Sequence, residues 1–307
     1  LSMRTTLSRE MQHAPRMRIL SGLIKRIYNH ADALIVPSEL AARDLISSFH
    51  IDESKLHVIY NYVDPLVIDQ LCNEPISDRN HSELFLHPVL LNVGRITPAK
   101  GQWLMLHVLQ RLRKQNSQLK FVIIGEGESE KDFKQKLVNY ALNLDLKIYD
   151  SYSDQVFSID YDVYLLGFDS NPFRYMKQSS LLVFPSTFEG FPNTVIEAMQ
   201  SKLAVIAADC QSGPREILAP QTDPSAHTAI VEFADYGILA PSLPSSSIED
   251  PVEERIIAEW IKAINALLED PKLQTHYIEK GLQRASAFEK DIILQEWKEI
   301  LDGIGQP

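Results

Sequence analysis

The chain is poor in cysteine. Its two cysteines, Cys72 and Cys210, form no CxxC pair and lack the histidine spacing of a metal site. Neither a disulfide framework nor a zinc site is therefore indicated, and a reducing, cytoplasmic setting fits best. No apolar run is long enough to span a bilayer, and the first thirty residues do not have the pattern of a signal peptide. These absences predict a protein that is soluble or peripheral to a membrane.

Basic residues are outnumbered by acidic ones, with 30 Lys and Arg against 41 Asp and Glu. The formal net charge is −11, which argues against a nucleic-acid groove because phosphate binding needs a positive surface. The first thirty residues are an exception, with six Lys and Arg against one Glu. A basic amphipathic start can contact anionic lipid on the inner face of the cytoplasmic membrane, but a solvated helix face has the same composition. Because the chain begins at Leu1, we expect a fragment of a longer protein.

From Pro88 onward, short β-branched runs alternate with helical stretches. This alternation predicts an α/β fold, with a Rossmann-like parallel sheet covered by helices on both faces. The predicted strands are 89–93, 119–124, 163–166, 181–184 and 204–207, with a shorter one near 237–239. Helical periodicity is present in 101–116, 253–268, 272–285 and 291–301.

Upstream of Pro88 the sequence indicates two further segments. Residues 1–60 contain a predicted helix at 21–29, a strand at 33–36, a helix capped by Ser38 and a short strand at 56–60. This is about one βαβ crossover, too little for a stable domain alone. Residues 61–87 mix Pro, Asn, Asp and Ser with little periodicity and are predicted to be a linker. The Asp-, Ser- and Tyr-rich stretch 146–162 is predicted to be a surface insertion.

A glycine turn with two cations follows the strand 89–93. It contains Gly94, Arg95, Lys100 and Gly101, and it leads into a helix N-terminus. Such a turn suits phosphate, because the helix end has unpaired N–H groups and the two cations can neutralise a diphosphate without metal. It is not a Walker loop, since Lys100 precedes Gly101. An ordinary helix cap would explain these residues equally well.

Two later strands also end in glycine turns. Gly125 and Gly127 do not form a dinucleotide fingerprint, because Glu130 occupies the third glycine position. They predict a tight turn that faces the ligand crevice. Leu166 and Gly167 precede the segment 168–172, whose backbone groups can contact a nucleobase, although an ordinary capped turn is the alternative.

Two carboxylates, Glu189 and Glu197, follow the apolar strand 181–184. Open α/β sheets bind ligands at this edge. Chance spacing, with one loop carboxylate and one solvated helix carboxylate, is the alternative. A glycoside hydrolase is disfavoured, because hydrolases need both carboxylates flanking one bond.

Taken together, these motifs resemble the C-terminal domain of GT-B fold glycosyltransferases of the family 4 type. The resemblance runs from about Ala31 to the C-terminus and includes the segment 209–217. It implies that residues 1–60 are a remnant of an acceptor domain and that 88–285 form a Rossmann-like domain binding a nucleotide sugar. The helix 286–307 would cross back towards the N-terminal Rossmann half. Most of that half is absent, so the apolar face around Trp297 is expected to be exposed.

The resemblance also implies roles for individual residues. Glu189 would bind hydroxyls of the donor sugar, and Glu197 the two ribose hydroxyls. Arg95 and Lys100 would hold the diphosphate and stabilise charge on the leaving group, so that neither a metal nor a cofactor is expected. Further donor contacts are expected from Gly94, Gly125, Gly127, Leu166, Gly167, Gly190 and the amides of Asn193, Thr194 and Val195.

The reaction that the resemblance implies is a retaining transfer from a UDP-sugar to a saccharide or lipid-linked acceptor in bacterial surface-polysaccharide synthesis. The segments 209–218, 222–224 and 236–239 resemble N-acetylhexosaminyltransferases of that kind. Without its acceptor half, the fragment is expected to be inactive. A non-catalytic nucleotide-sugar-binding module and another GT-B enzyme, such as a nucleotide-sugar epimerase, are the alternatives.

Overall fold

The computed structural model describes residues 21–127 and 131–304. Its first part, residues 21–60, is here called the N-terminal unit. The unit contains α1 (Ser21–Tyr28), β1 (Leu34–Val36), α2 (Glu39–Phe49) and β2 (Leu56–Val58). The two strands pair in parallel, as the predicted βαβ crossover requires. Leu34, Val36 and Leu45 form a small core of their own.

The second part is an eight-stranded sheet with the strand order β5-β6-β4-β3-β7-β8-β10-β9. All neighbours pair in parallel except β9 and β10. The strands are β3 (Val89–Val93), β4 (Lys120–Ile124), β5 (Ile148–Asp150), β6 (Val163–Gly167), β7 (Leu181–Phe184), β8 (Val205–Ala208), β9 (Glu232–Phe233) and β10 (Ile238–Ala240). The α/β prediction is confirmed.

Helices cover both faces of this sheet. The strands carry apolar side chains on each face, and these form two separate cores with the helices. In chain order, the described helices after residue 60 are α3 (Pro65–Cys72), α4 (Arg79–Leu84), α5 (Gln102–Leu112), α6 (Lys131–Asn143), α7 (Phe173–Met176), α8 (Asn193–Gln200), α9 (Pro214–Leu218), α10 (Glu254–Glu269), α11 (Pro271–Ala285) and α12 (Lys290–Ile304), of which α12 packs against the N-terminal unit instead of the sheet. Helices α5, α6 and α10 share one core, which contains Trp103 and Trp260. Of the helices within the described ranges, none has the length and apolar content needed to cross a bilayer.

The segment 61–87, predicted to be a linker, contains α3 and α4. Ile68, Cys72 and Leu84 are buried in the core beneath the sheet, together with residues of β3 and α8. Both helices begin at an aspartate whose side chain caps the first turn, Asp64 for α3 and Asp78 for α4. Two of the polar residues that suggested a linker are therefore helix caps.

The stretch 146–162, predicted to be a surface insertion, begins with an edge strand. Strand β5 pairs with β6, and Ile148 is buried. A cluster of aromatic rings, including Tyr149, Phe157 and Tyr164, packs behind it. Only the part after Asp150 is irregular, so the prediction missed one short strand.

Helix α12 packs against the N-terminal unit. Ile293 is buried against Ile35 and Ile59, with Trp297 beside them. The expected exposure of its apolar face is therefore only partial, and side chains such as Ile292 and Leu301 remain exposed. Two backbone hydrogen bonds join Val63 to Phe288, before α12, and to Lys290, its first residue.

Candidate functional site

A cleft lies at the carboxyl edge of the sheet, where the loops after β3, β4, β6 and β7 meet. It contains a cavity of about 550 Å³. The lining includes five of the residues predicted from sequence: Gly94, Arg95, Gly125, Gly127 and Glu197. Parallel strands end at the same edge, so motifs far apart in the chain are brought to one place.

The floor of the cleft is a close crossing of strand ends. A side chain at Gly125 would place its Cβ 2.1 Å from the carbonyl oxygen of Gly94. The N–H of Gly94 donates to Ile124, and that of Gly125 donates to Gly167. Only glycine fits at position 125, where φ is +151°. Gly125 and Gly127 both line the cavity, and the prediction that their turn faces a ligand stays a prediction.

Lys100 and Glu189 form an ion pair beside this cavity. Lys100 Nζ lies 2.6 Å from Glu189 Oε1, with the two side chains only 18% and 14% exposed. The same ammonium lies 5.2 Å from the ring centroid of Phe184. Gly101 makes the turn into α5 with a φ of +62°. Glycine is needed at this position, because a Cβ there would lie 2.2 Å from the carbonyl oxygen of Pro185. The predicted cation and the predicted sugar-binding carboxylate are thus direct partners.

The loop that carries Glu189 is held by the segment after β8. The N–H of Glu189 donates to the carbonyl oxygen of Gln211 at 3.3 Å. The hydroxyl of Ser212 donates to the carbonyl oxygen of Gly190 at 2.7 Å. Neither Gln211 nor Ser212 was predicted to be a site residue. Their position within the motif 209–217 was the only sequence signal that pointed to these two residues.

Glu197, on α8, faces the cavity that Arg95 lines. Burial raises the pKa of its carboxyl group. Within residues 21–127 and 131–304, no group donates a hydrogen bond to this carboxylate. Glu197 is half-buried at the wall of this cavity, so its carboxylate oxygens can accept hydrogen bonds from a ligand there.

The N-terminus of helix α8 borders another cavity, of about 780 Å³, which Asn193 lines together with Asn61 and Phe191. The N–H groups of Asn193 and Thr194 have no acceptor among the described residues. The side-chain oxygen of Asn193 accepts from Asn61 at 2.7 Å. Val195 differs from the prediction, because its N–H closes a turn onto Pro192 at 3.0 Å and its side chain is buried. Two amides, rather than three, are available for an anion.

The loop after β6 forms another side of the cleft. Phe168 lines the cavity and is largely exposed. Gly167 lines a second, adjoining cavity of about 380 Å³ instead, next to Tyr152. Leu166 is half-buried and packs against the core. Asn171 fixes this loop by donating to Leu71 and Glu74 of the segment 61–87.

Behind the cleft, Arg215 joins two acidic residues. Its guanidinium contacts Asp209 at 2.5 Å and Glu232 at 2.7 Å, and both Arg215 and Asp209 are buried. The bidentate geometry fixes the start of the segment 209–213. Among the described residues, no cluster of three or more His, Cys, Asp and Glu side chains is arranged to hold a metal ion.

Comparison with known proteins shows which family has this parallel α/β sheet and cleft. A family model of glycosyl transferases group 1 matches residues 87–240, and a model of glycosyltransferase family 4 matches residues 6–65. The chain belongs to the group 1 glycosyltransferases.

Three similar proteins illustrate the family. An uncharacterized glycosyltransferase of Methanocaldococcus jannaschii is 34% identical over 93% of this chain and 67% of its own length. An N-acetylgalactosamine-N,N'-diacetylbacillosaminyl-diphospho-undecaprenol 4-alpha-N-acetylgalactosaminyltransferase of Campylobacter jejuni is 30% identical over 87% of this chain and 59% of its own length. Anabaena HepE, solved with UDP and with UDP-glucose, has a TM-score of 0.73 at 21% identity and covers 98% of this chain and 71% of its own. The chain thus spans about two thirds of these proteins.

Proposed function

We propose that this chain is the donor-binding portion of a retaining, metal-independent glycosyltransferase that uses a UDP-sugar. The observation that carries the proposal is Glu197, a half-buried carboxylate that accepts no hydrogen bond from any described residue and lies in a cavity shared with Arg95. The two ribose hydroxyls of a nucleotide would supply the missing donors. Two similar structures contain UDP or UDP-glucose, which favours UDP over other nucleotides.

The cations and the helix N-terminus explain how the leaving group would be stabilised. A departing nucleoside diphosphate accumulates negative charge. Arg95 lines the cavity and Lys100 lies beside it, next to Gly94, while the amides of Asn193 and Thr194 at the start of α8 have no acceptor among the described residues. Groups that are already in place lower the barrier without reorganisation. This arrangement supplies the charge that a metal ion supplies in other transferases.

Glu189 would bind hydroxyls of the donor sugar. Its side chain is oriented by Lys100, and its backbone by Gln211. It would not flank a single bond together with Glu197, because Glu197 is proposed to bind the ribose. The Campylobacter relative is named for an alpha linkage. The hexose in a UDP-hexose donor is itself α-linked to the diphosphate, so an α-linked product would mean that the configuration is retained.

The acceptor is proposed to be a saccharide or a lipid-linked saccharide of a bacterial surface polysaccharide. The name of the Campylobacter relative specifies an acceptor on diphospho-undecaprenol. Such acceptors would place the protein in the cytoplasm, peripheral to the inner face of the membrane. Since the chain spans about two thirds of these relatives, we expect it to bind the donor without transferring the sugar by itself.

Calorimetry tests the donor site directly. UDP is expected to bind in the presence of EDTA and more tightly than ADP or GDP. Glu197→Ala should weaken UDP binding at least about tenfold, because one charged hydrogen-bond group contributes roughly 1.5–3 kcal/mol. Glu254→Ala, on the exposed start of α10, is the matched control. A folded protein that binds no UDP, or binds it equally well as Glu197→Ala, contradicts the proposal.

A further inference from the structure

A chain of buried hydroxyl groups links the N-terminal unit to the loop of Glu189. Ser38 Oγ and Ser212 Oγ lie 2.7 Å apart, and Ser212 Oγ lies 2.7 Å from the carbonyl oxygen of Gly190. Ser38 and Ser212 are almost completely buried. The two serines are 174 residues apart in sequence, so this contact exists only in the folded chain.

The direction of these hydrogen bonds follows from the number of protons. A carbonyl oxygen can only accept, so the single hydroxyl proton of Ser212 goes to Gly190. The proton between the two serines must therefore come from Ser38. The oxygen of Ser38 in turn accepts from the N–H of Ala41, as the N-cap of α2. The chain runs without a gap from the first turn of α2 to Gly190.

The backbone at Ser212 indicates that this hydroxyl is needed. Its φ is +71°, in the left-handed region that favours glycine. The next residue, Gly213, also has a positive φ. A serine in such a conformation is strained and persists only where the surrounding contacts compensate. At Ser212 the compensating contacts are the two hydrogen bonds of its side chain.

A second link runs in parallel. The carboxylate of Glu216, on α9, accepts from the N–H of Glu39 at 2.7 Å and that of Leu40 at 3.4 Å. These are the first amides of α2, which have no partner within the helix. The segment 209–216 therefore contacts the N-terminus of α2 at one end and the Glu189 loop at the other.

We propose that Ser212 is a positioning residue through which helix α2 fixes the loop of Glu189 and thereby shapes the donor-sugar pocket. The inference rests on the proposed function for Glu189, but the link itself can be tested without a ligand. Ser212 does not line the cavity that holds Glu197, so nucleotide binding is expected to be independent of it.

The test uses three glycine variants of the same chain. Ser212→Gly removes the hydroxyl at a backbone position that glycine adopts easily. Ser38→Gly removes the other hydroxyl while remaining a tolerated N-cap. Ser117→Gly, in an exposed turn, is the control. Amide hydrogen exchange of the loop 187–191 is measured by mass spectrometry, and binding of UDP, UDP-glucose, UDP-galactose, UDP-N-acetylglucosamine and UDP-N-acetylgalactosamine by calorimetry.

Exchange of the loop should accelerate roughly fivefold or more in Ser212→Gly, which leaves a buried carbonyl without its donor, and less in Ser38→Gly. The best-bound UDP-sugar should lose about fivefold to tenfold in affinity in Ser212→Gly, while UDP stays within about twofold. Unchanged exchange in Ser212→Gly overturns the positioning role. Unchanged exchange in Ser38→Gly overturns the link to α2. If Ser212→Gly lowers the affinities for UDP and for all UDP-sugars equally, the effect is a general structural one and the proposed role in the sugar pocket is overturned. Failure of the unmodified chain to bind UDP contradicts the proposed function instead, and the exchange result still decides the link.

Discussion

Lys100 Nζ and Glu189 Oε1 are 2.6 Å apart, so the cation proposed for the diphosphate is paired with the carboxylate proposed for the sugar. A diphosphate that approaches Lys100 must therefore compete with Glu189. Each residue also restrains the other, because both side chains are largely buried. The proposed donor binding would therefore be coupled to the orientation of Glu189 through this pair.

Glu189→Gln is expected to separate nucleotide binding from sugar binding. Loss of the carboxylate frees Lys100 and removes a negative charge near the diphosphate. UDP affinity should stay equal or rise by up to about fivefold, while the affinity for UDP-sugars falls relative to UDP. Calorimetry with UDP and the UDP-sugars measures both. Parallel losses for UDP and UDP-sugars would show that Glu189 does not act on the sugar.

Lys100→Met is expected to weaken UDP and UDP-sugars alike. A hydrogen bond to a charged group contributes roughly 1.5–3 kcal/mol, so affinity should fall about tenfold or more. Lys114→Met is the matched control, because Lys114 follows the far end of α5 and is exposed. Loss of the Lys100 ammonium group should also make the affinity for UDP less dependent on salt concentration. Equal UDP affinities in the Lys100→Met and Lys114→Met variants would show that Lys100 does not contact the nucleotide.

Glu197→Gln is expected to stabilise the protein at neutral pH while it weakens UDP binding. Burial raises the pKa of Glu197 in the folded state, so folding disfavours the ionised form. This destabilisation is present at neutral pH and disappears as the pH falls through the folded-state pKa. The variant should therefore melt at a higher temperature at pH 7, and the difference should shrink towards pH 4.5. A constant difference across that range would contradict the assignment.

Gly125→Ala and Gly127→Ala are expected to differ sharply although they share one loop. A Cβ at Gly125 overlaps the carbonyl oxygen of Gly94, whereas one at Gly127 lies 3.4 Å from Lys134 Cβ, an ordinary contact. The first change should cost roughly 3 kcal/mol of unfolding free energy from strain and overlap. The second should be neutral or stabilising by up to about 1 kcal/mol. Urea denaturation compares them, and similar costs would refute the crossing of strand ends.

Arg215→Met is expected to be strongly destabilising. It leaves the buried Asp209 carboxylate without its cation, which costs about 3–5 kcal/mol in such pairs. Arg111→Met breaks the more exposed pair with Glu254 and should cost less than about 1 kcal/mol. Urea denaturation measures both. A small effect at Arg215 would show that water replaces the guanidinium.

Most strands of the sheet were predictable because their residues are buried on both faces. The run Val89–Val93 and the run Leu181–Phe184 were predicted to the residue. Burial on both sides requires continuous β-branched and aliphatic residues, and this pattern is visible in the sequence. Strand β5 was missed, since three residues at an edge carry little pattern and form a strand only by pairing with β6.

Helices α3 and α4 were missed for another reason. Their N-caps, Asp64 and Asp78, and the proline after Asp64 are helix-start signals. In a short segment the same residues have the composition of a loop. Leu66 is 82% exposed while Ile68 is buried, so the apolar pattern did not mark one face. The sheet beneath decides which of these residues are covered.

The sequence by itself determined the parallel sheet, the glycine turns at its carboxyl edge and the order of the motifs, since these depend on local burial and backbone conformation. Only the tertiary structure decided the partners. Lys100 meets Glu189 across 89 residues and Ser38 meets Ser212 across 174, while the amide of Val195 is used within its own turn. Pairs of this kind depend on where strands end and cross in space, which no local pattern encodes.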